Sequence, residues 1–233
     1  DIRKPTVSRI YSCTDTGEIR SLGIKAAVGA VKSGRLVVLP TDTLYGLGCD
    51  AFDNDAVARL LAAKGRGPDM PVPVLVGSWD TARGLVHSYN DQLRTLIEAF
   101  WPGGLSIVVP QAPSLMWNLG DTRGTVMLRM PLHPVAIELL RETGPMAVSS
   151  ANISGQPPAT TVAMAEEQLG DKVNVYLDGG EAAVGVASSI IDVSGDQPRL
   201  LREGAIPATR IADVLGIAPE TLTASARTPE NSR

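Results

Sequence analysis

Arg35-Leu-Val-Val-Leu-Pro-Thr-Asp-Thr-Leu-Tyr-Gly-Leu-Gly48 begins with a short apolar run that Pro40 stops. Two threonines, an acid, a tyrosine and two glycines follow. An apolar run of that length, closed by proline, predicts a buried strand over Arg35 to Leu39. Thr41 to Gly48 then predicts a glycine-bearing loop at the strand's C-terminal end, where α/β proteins favour ligands. A turn held by Asx and threonine hydrogen bonds has the same composition, and spacing leaves the two readings level. Gly46-Leu-Gly-Cys-Asp-Ala51 imitates the G-x-G-x-x-A dinucleotide fingerprint. That fingerprint needs its first glycine in the tight turn directly after the strand, and Pro40 to Tyr45 intervene.

On either side of this stretch, helices and strands alternate without a fixed period. Before it, Ile24 to Lys32 predicts a helix with Gly34 at its C-cap. After it, Asp53-Asn-Asp55 offers N-cap side chains for a helix through Lys64. Val72 to Val76 reads as a strand whose Pro73 implies an edge position or an irregular start. Thr81 to Val86, Gln92 to Trp101, Pro134 to Glu142, Val162 to Leu169 and a segment from Pro207 to Leu215 predict helices. Leu105 to Val109, Val126 to Met130, Met146 to Val148, Val173 to Leu177, Ser189 to Val193 and Arg199 to Leu201 predict strands. Ser149 to Thr160 reads as a polar loop. The pattern favours one α/β domain with a mixed sheet over a barrel or repeat array. The expected division is an irregular segment 1–20, a domain 21–216 and a loose Thr/Ser/Pro/Ala-rich tail 217–233.

The totals narrow the function. The 233 residues are 44% hydrophobic and 20% charged, enough for a sizeable core. Aromatics make up only 4%, so Ala, Val, Leu and Ile must fill that core. A net charge of -4 argues against a nonspecific nucleic-acid binder, whose affinity comes from neutralising phosphates. Cys13 and Cys49 make no disulfide framework and fit reduced thiols in a cytosolic protein. No apolar run approaches the roughly 20 residues that span a bilayer, and no signal peptide is visible.

The histidines, His87 and His133, have neither metal-ligand spacing nor a triad partner, and His133 before Pro134 suits a helix cap. Attention falls instead on cations and hydroxyls at strand and helix ends. Lys64 at a helix C-terminus satisfies the dipole. Arg66, on the Gly-Pro loop beyond it, suits a phosphate or carboxylate. Arg129 lies in the apolar strand Thr125-Val-Met-Leu-Arg-Met130, on the face of Thr125 and Met127. A buried arginine needs an anion, structural or substrate. Ser149-Ser-Ala-Asn-Ile-Ser-Gly155, Ser188-Ser189 and Arg202-Glu-Gly204 add groups at further strand ends, each readable alone as polar surface.

Thr41-Asp-Thr-Leu-Tyr-Gly-Leu-Gly48, Lys64-Gly-Arg66, Trp101-Pro-Gly103, Val126-Met-Leu-Arg-Met-Pro131, Ser150-Ala-Asn152 and Leu201-Arg-Glu-Gly204 occur in the order seen in the YrdC family. The resemblance runs from about residue 24 to 215. It implies a single α/β domain with a twisted, mixed parallel and antiparallel sheet, flanked by helices around an open cavity. It also implies a Mg2+-dependent nucleotidyl transfer that makes threonylcarbamoyl-AMP and pyrophosphate from L-threonine, bicarbonate and ATP. The product would serve the modification at position 37 of tRNAs reading ANN codons. Downstream threonylcarbamoyl-transfer proteins are then partners, a direct tRNA contact is left open, no membrane is involved, and the setting is the cytoplasm.

Carried over by resemblance, Lys64 and Arg66 are catalytic and bind ATP, together with Thr125, Asn152, Thr160 and Arg202. Thr43, Arg129, Ser150 and Ser188 bind threonine, and no residue is assigned to a metal. Four positions depart from the family's commoner pattern: Gly67, Met70, Leu75 and Ser149. Two rival readings are an RNA-binding module using the same basic cavity, and a domain that forms a carbamoyl adenylate from carbamoyl phosphate. Scarce aromatics and an acidic total weigh against the first. Chain length weighs against the second.

Overall fold

The computed structural model describes residues 8–67 and 71–223. Strand β1 (Arg9–Ser12) precedes helix α1 (Glu18–Lys32), so the segment expected to be irregular holds a strand and the start of a helix. Strand β2 (Val37–Leu39) turns through Pro40–Tyr45 into β3 (Gly46–Asp50). The two pair antiparallel, with Leu39 opposite Gly46. The stretch expected as one loop thus ends inside a strand. The glycines explain why: a Cβ at Gly46 would lie 2.5 Å from a Val148 methyl, and one at Gly48 2.8 Å from the Met146 methyl. They are close-packing positions within the sheet, which composition alone makes look like a turn.

Helix α2 (Asn54–Lys64) starts at Asp53, whose side chain accepts from Ala56 N, and stops at Gly65 in the left-handed region. Strand β4 (Val74–Leu75) is short, and helices α3 (Trp79–Arg83) and α4 (Asp91–Phe100) follow. Strands β5 (Leu105–Pro110) and β6 (Thr125–Arg129) form an antiparallel pair. Helix α5 (Pro134–Thr143) is capped by His133, whose Nδ1 accepts from Val135 N. Strand β7 (Met146–Ser150), helix α6 (Val162–Leu169) and strands β8 (Val175–Asp178), β9 (Ser189–Asp192) and β10 (Arg199–Arg202) complete the sheet. Helix α7 (Ala208–Leu215) and a last turn α8 (Pro219–Thr223) close the described chain. Leu222 is fully buried, so the region expected as a tail from 217 opens with a packed helical turn. The rest of that tail, 224–233, lies outside the described residues, as do 1–7 and the loop positions Pro68, Asp69 and Met70.

The ten strands form one mixed sheet in the order β1-β8-β2-β3-β7-β4-β6-β5-β9-β10. β4 therefore sits between β7 and β6, not at an edge. Pro73 is tolerated because it stands just before the strand, where its carbonyl still accepts from Val148 N. Both faces of the sheet's centre are buried. Val37 and Leu39 face a layer containing α1 and α5, while Val38 faces the opposite core, to which α2, α4, α6 and α7 contribute. Such burial contributes about 1.5–3 kcal/mol for each large aliphatic side chain. Among the described residues no helix is long and apolar enough to cross a membrane, and both cysteines are buried free thiols.

Candidate functional site

A cleft of about 430 Å³ opens where the ends of β2, β6 and β7 meet the segments around Arg66 and Ser188. Its floor begins with the loop after β2. Thr41 Oγ1 donates to the carbonyl of Leu44 and accepts from the amides of Thr43 and Leu44, so the hydroxyl ties the turn. The turn is also pinned from outside: Val184 N donates to Asp42 O, and Gly185 N to Thr43 O, at 2.9 Å each. The Asx/threonine turn and the ligand crevice, separate readings of the sequence, are thus one structure.

Arg129, on β6, reaches this turn. Its Nη1 donates to Asp42 Oδ1 at 2.9 Å and to Gly103 O at 3.1 Å, and its Nη2 donates to Thr43 Oγ1 at 3.0 Å. Burial works against its charge, and Asp42 supports it. The buried arginine's structural anion is therefore Asp42, yet Arg129 still lines the cleft. On another wall, Arg202 Nε donates to Ser188 O at 2.9 Å and Nη2 to Ser188 Oγ at 3.3 Å. Ser188 Oγ is 2.8 Å from Ser106 Oγ, a buried hydroxyl of β5. Burial, and after it the Arg129 charge, lowers the proton affinity of Arg202. The two guanidiniums therefore share one electrostatic neighbourhood.

Arg66 leaves the C-terminal end of α2 and donates from Nη1 to Ser149 Oγ at 3.3 Å and from Nη2 to Pro71 O at 3.0 Å. Lys64, two residues earlier, is only 2% exposed. Its Nζ donates to the carbonyls of Ser150 and Asn152, the latter at 2.9 Å, and to Asn152 Oδ1 at 3.2 Å. Burial, then the Arg66 charge, pushes Lys64 down to about 8. It braces the end of β7 from behind.

Of the residues carried over by resemblance, Thr43, Arg66, Arg129, Ser150, Ser188 and Arg202 line the cleft together. Lys64 and Asn152 stand behind its wall, where Asn152 Nδ2 donates to the carbonyls of Ile153 and Gln156. Thr125, at the far end of β6, donates to Thr122 O, and Thr160 Oγ1 contacts Met164 Sδ. Neither is part of the wall. Sequence reasoning passed over Asp42 and Ser106. Asp42 carries no signal of its own beyond that of the turn or ligand loop around it. Ser106 showed itself only as one hydroxyl within an apolar strand.

Leu75, Met127, Val148 and Ile190 supply apolar wall between the charged groups. The site can hold anions at its cations and an aliphatic group beside them. Among the described residues no group of three or more His, Cys, Asp or Glu could hold a metal ion. The described residues therefore build no all-protein cage of the kind that holds a resident cation.

The Sua5/YciO/YrdC family model, described as telomere recombination, matches residues 29–204. A Mycobacterium tuberculosis protein, provisionally named a threonylcarbamoyl-AMP synthase, is 62% identical over 216 residues, 93% of this chain and 99% of its own. The Pyrococcus abyssi threonylcarbamoyl-AMP synthase is 37% identical over 194 residues, 83% of this chain and 57% of its own. Among solved structures, P. abyssi Sua5 complexed with L-threonine superposes with a TM-score of 0.86 at 33% identity, covering 97% of this chain. This chain spans 66% of that longer one. Escherichia coli YciO shares the fold, with a TM-score of 0.78 at 23% identity, over 88% of this chain and all of its own. The chain belongs to the Sua5/YciO/YrdC family.

Proposed function

We propose that the protein is a threonylcarbamoyl-AMP synthase, a nucleotidyltransferase that joins L-threonine, bicarbonate and ATP into threonylcarbamoyl-AMP and pyrophosphate for tRNA modification. The observation that carries the reading is the convergence of Arg66, Arg129 and Arg202 on one cleft that also holds serine and threonine hydroxyls and aliphatic wall. The relatives' names agree with it, as does the threonine complex of P. abyssi Sua5.

The chemistry needs no protein nucleophile. The threonine amine adds to bicarbonate with loss of water, giving a carbamate. A carbamate oxygen then attacks the α-phosphorus of ATP, a new O–P bond forms, and pyrophosphate leaves with the electrons of the broken one. Such a step depends on holding anions together and on stabilising charge on phosphoryl oxygens. In this reading Arg66 and Arg202 hold the triphosphate, and Mg2+ accompanies it as part of the substrate. Arg129 and Thr43 take the threonine carboxylate, with Ser150 and Ser188 nearby. Lys64 and Asn152 act through the position of Ser150 and Arg66. The absence of a paired Ser-His or Cys-His group from the cleft wall fits a reaction run by positioning and charge.

The surroundings follow from the product. An acyl adenylate is activated for transfer, so proteins that pass the threonylcarbamoyl group to tRNA complete the reading, in the cytoplasm where both are made.

Pyrophosphate release measured with each substrate omitted in turn tests the proposal. Release should require threonine and bicarbonate together. Release supported by carbamoyl phosphate without threonine, or salt-sensitive RNA binding with no ATP turnover, would favour the rivals.

A further inference from the structure

Asp42 is the one carboxylate in the turn after β2, and the substrate-holding groups named so far do not include it. It is 8% exposed. Its Oδ1 accepts from Arg129 Nη1 at 2.9 Å and from the backbone amide of Leu132 at 3.1 Å. β2 and β6 lie four places apart in the sheet order, so this carboxylate joins two separated parts of the cleft.

The proton inventory of Arg129 gives the bond its meaning. Nη1 carries two hydrogens, and Asp42 Oδ1 and Gly103 O take both. That edge of the guanidinium is spent inside the protein. Nη2 donates to Thr43 Oγ1 at 3.0 Å and, through a long bond of 3.4 Å, to Thr41 Oγ1, and all three residues line the cleft, so the long bond is the one a carboxylate can replace. The Thr41 hydroxyl keeps its own proton on Leu44 O, so it has none to offer a substrate carboxylate. A guanidinium binds a carboxylate well only when its plane is fixed at the right angle. Here the plane is fixed from behind.

We propose that Asp42 is a positioning residue. It fixes the plane of Arg129 so that the Nη2 edge, together with the Thr43 hydroxyl, meets the carboxylate of the amino-acid substrate. The inference rests on the functional reading above, and it assigns Asp42 a role through geometry more than through charge. Asp42 faces Arg129 directly, and His133 and Arg202 are the other titratable groups of this neighbourhood, each feeling one member of the pair.

The test is steady-state pyrophosphate release by the full chain, with threonine and ATP varied separately. Wild type that releases no pyrophosphate with threonine and bicarbonate would defeat the functional reading and not this one. With active wild type, three variants divide the outcomes. Asp42→Asn keeps an oxygen where Arg129 and Leu132 need it, and should hold the threonine KM within about threefold of wild type. Asp42→Ala removes the anchor, and Asp42→Glu keeps the charge but displaces the oxygen. Both should raise the threonine KM on the order of tenfold or more, with the ATP KM little changed. If Asp42→Ala does not fold, the Asn and Glu pair still decides the matter. A threonine KM unchanged in folded Asp42→Glu overturns the proposal. So does a rise in the Asn variant as large as in the Glu variant, or an equal rise in both KM values.

Discussion

Lys64 Nζ lies 2.9 Å from the backbone carbonyl oxygen of Asn152, so the last residue of α2 is fastened to the chain just beyond β7. The same ammonium also donates to Ser150 O and Asn152 Oδ1. A cation at a helix C-terminus ordinarily points to water. This one is buried and satisfies three acceptors.

Replacing Lys64 should therefore cost stability as well as activity. Lys64→Met keeps the aliphatic stem but strands those acceptors, at about 1–3 kcal/mol for each left unsatisfied. The pH dependence has a definite sign. The unfolded chain keeps the Lys64 proton to about 10.5, while the folded chain releases it near 8. Between those values the unfolded state binds more protons, so stability from this group rises with pH. Denaturant melts of wild type and Lys64→Met should show a stability gap that widens from pH 8 to 10.5. A gap that narrows would show that burial does not penalise the charge.

Arg66→Ala tests the phosphate side. Arg66 lies on the cleft wall beyond the α2 C-cap, outside both buried cores. The variant should keep its far-ultraviolet circular dichroism and melting temperature within a few degrees. Its kcat/KM for ATP should fall by roughly 2–4 kcal/mol of transition-state stabilisation, the scale of a lost oxyanion donor. A folded variant with undiminished turnover would remove Arg66 from the reaction.

Ser106 is the buried support of Ser188. Ser106→Ala leaves Ser188 Oγ only the long 3.3 Å bond from Arg202. Removing one neutral hydrogen bond should cost about 0.5–1.5 kcal/mol of stability. The larger effect should fall on turnover, through looser placement of Ser188. Kinetics and thermal melts of the single variant separate the two, and a melt shift without a kinetic one would make Ser106 purely structural.

Two glycine substitutions should move stability in opposite directions. Gly46→Ala places a methyl 2.5 Å from Val148 Cγ1 and should destabilise by about 1–3 kcal/mol. Gly29→Ala in α1 meets nothing within 4 Å and should stabilise by about 0.5–1 kcal/mol. Thermal unfolding of both variants checks whether the β3 glycines are packing positions, as the sheet register requires.

Most strands, the helix caps and the mixed sheet were legible because their signals are local, β1 and β3 being the exceptions. Asp53 and His133 announce caps, Pro134 marks a first turn, and apolar runs such as Leu105 to Val109 mark buried strands. β3 was not legible, because glycines that clear space for Val148 look like loop residues until β7 is beside them. The position of β4 was hidden for the same reason. Pro73 is compatible with an edge or with an irregular start, and only the neighbours show that it stands just before a central strand. In the site, the three arginines stood out as cations at element ends. Their convergence, and the pairing of Arg129 with Asp42 across 87 residues, belong to topology and could not be read from spacing. Lys64 was legible as a cation at a helix end and, by resemblance, as an ATP-site residue, but its contacts with Ser150 O and Asn152 O depend on where β7 lies.

If one cleft places a triphosphate against a carbamate made from threonine and bicarbonate, the bicarbonate carbon must end in the product. The most direct measurement is mass spectrometry of the adenylate formed from ATP and L-threonine in 13C-labelled bicarbonate. The expected product is a threonylcarbamoyl adenylate heavier by about one mass unit, formed with one pyrophosphate per molecule. An adenylate without the label, or pyrophosphate released at the same rate when threonine is left out, would contradict it.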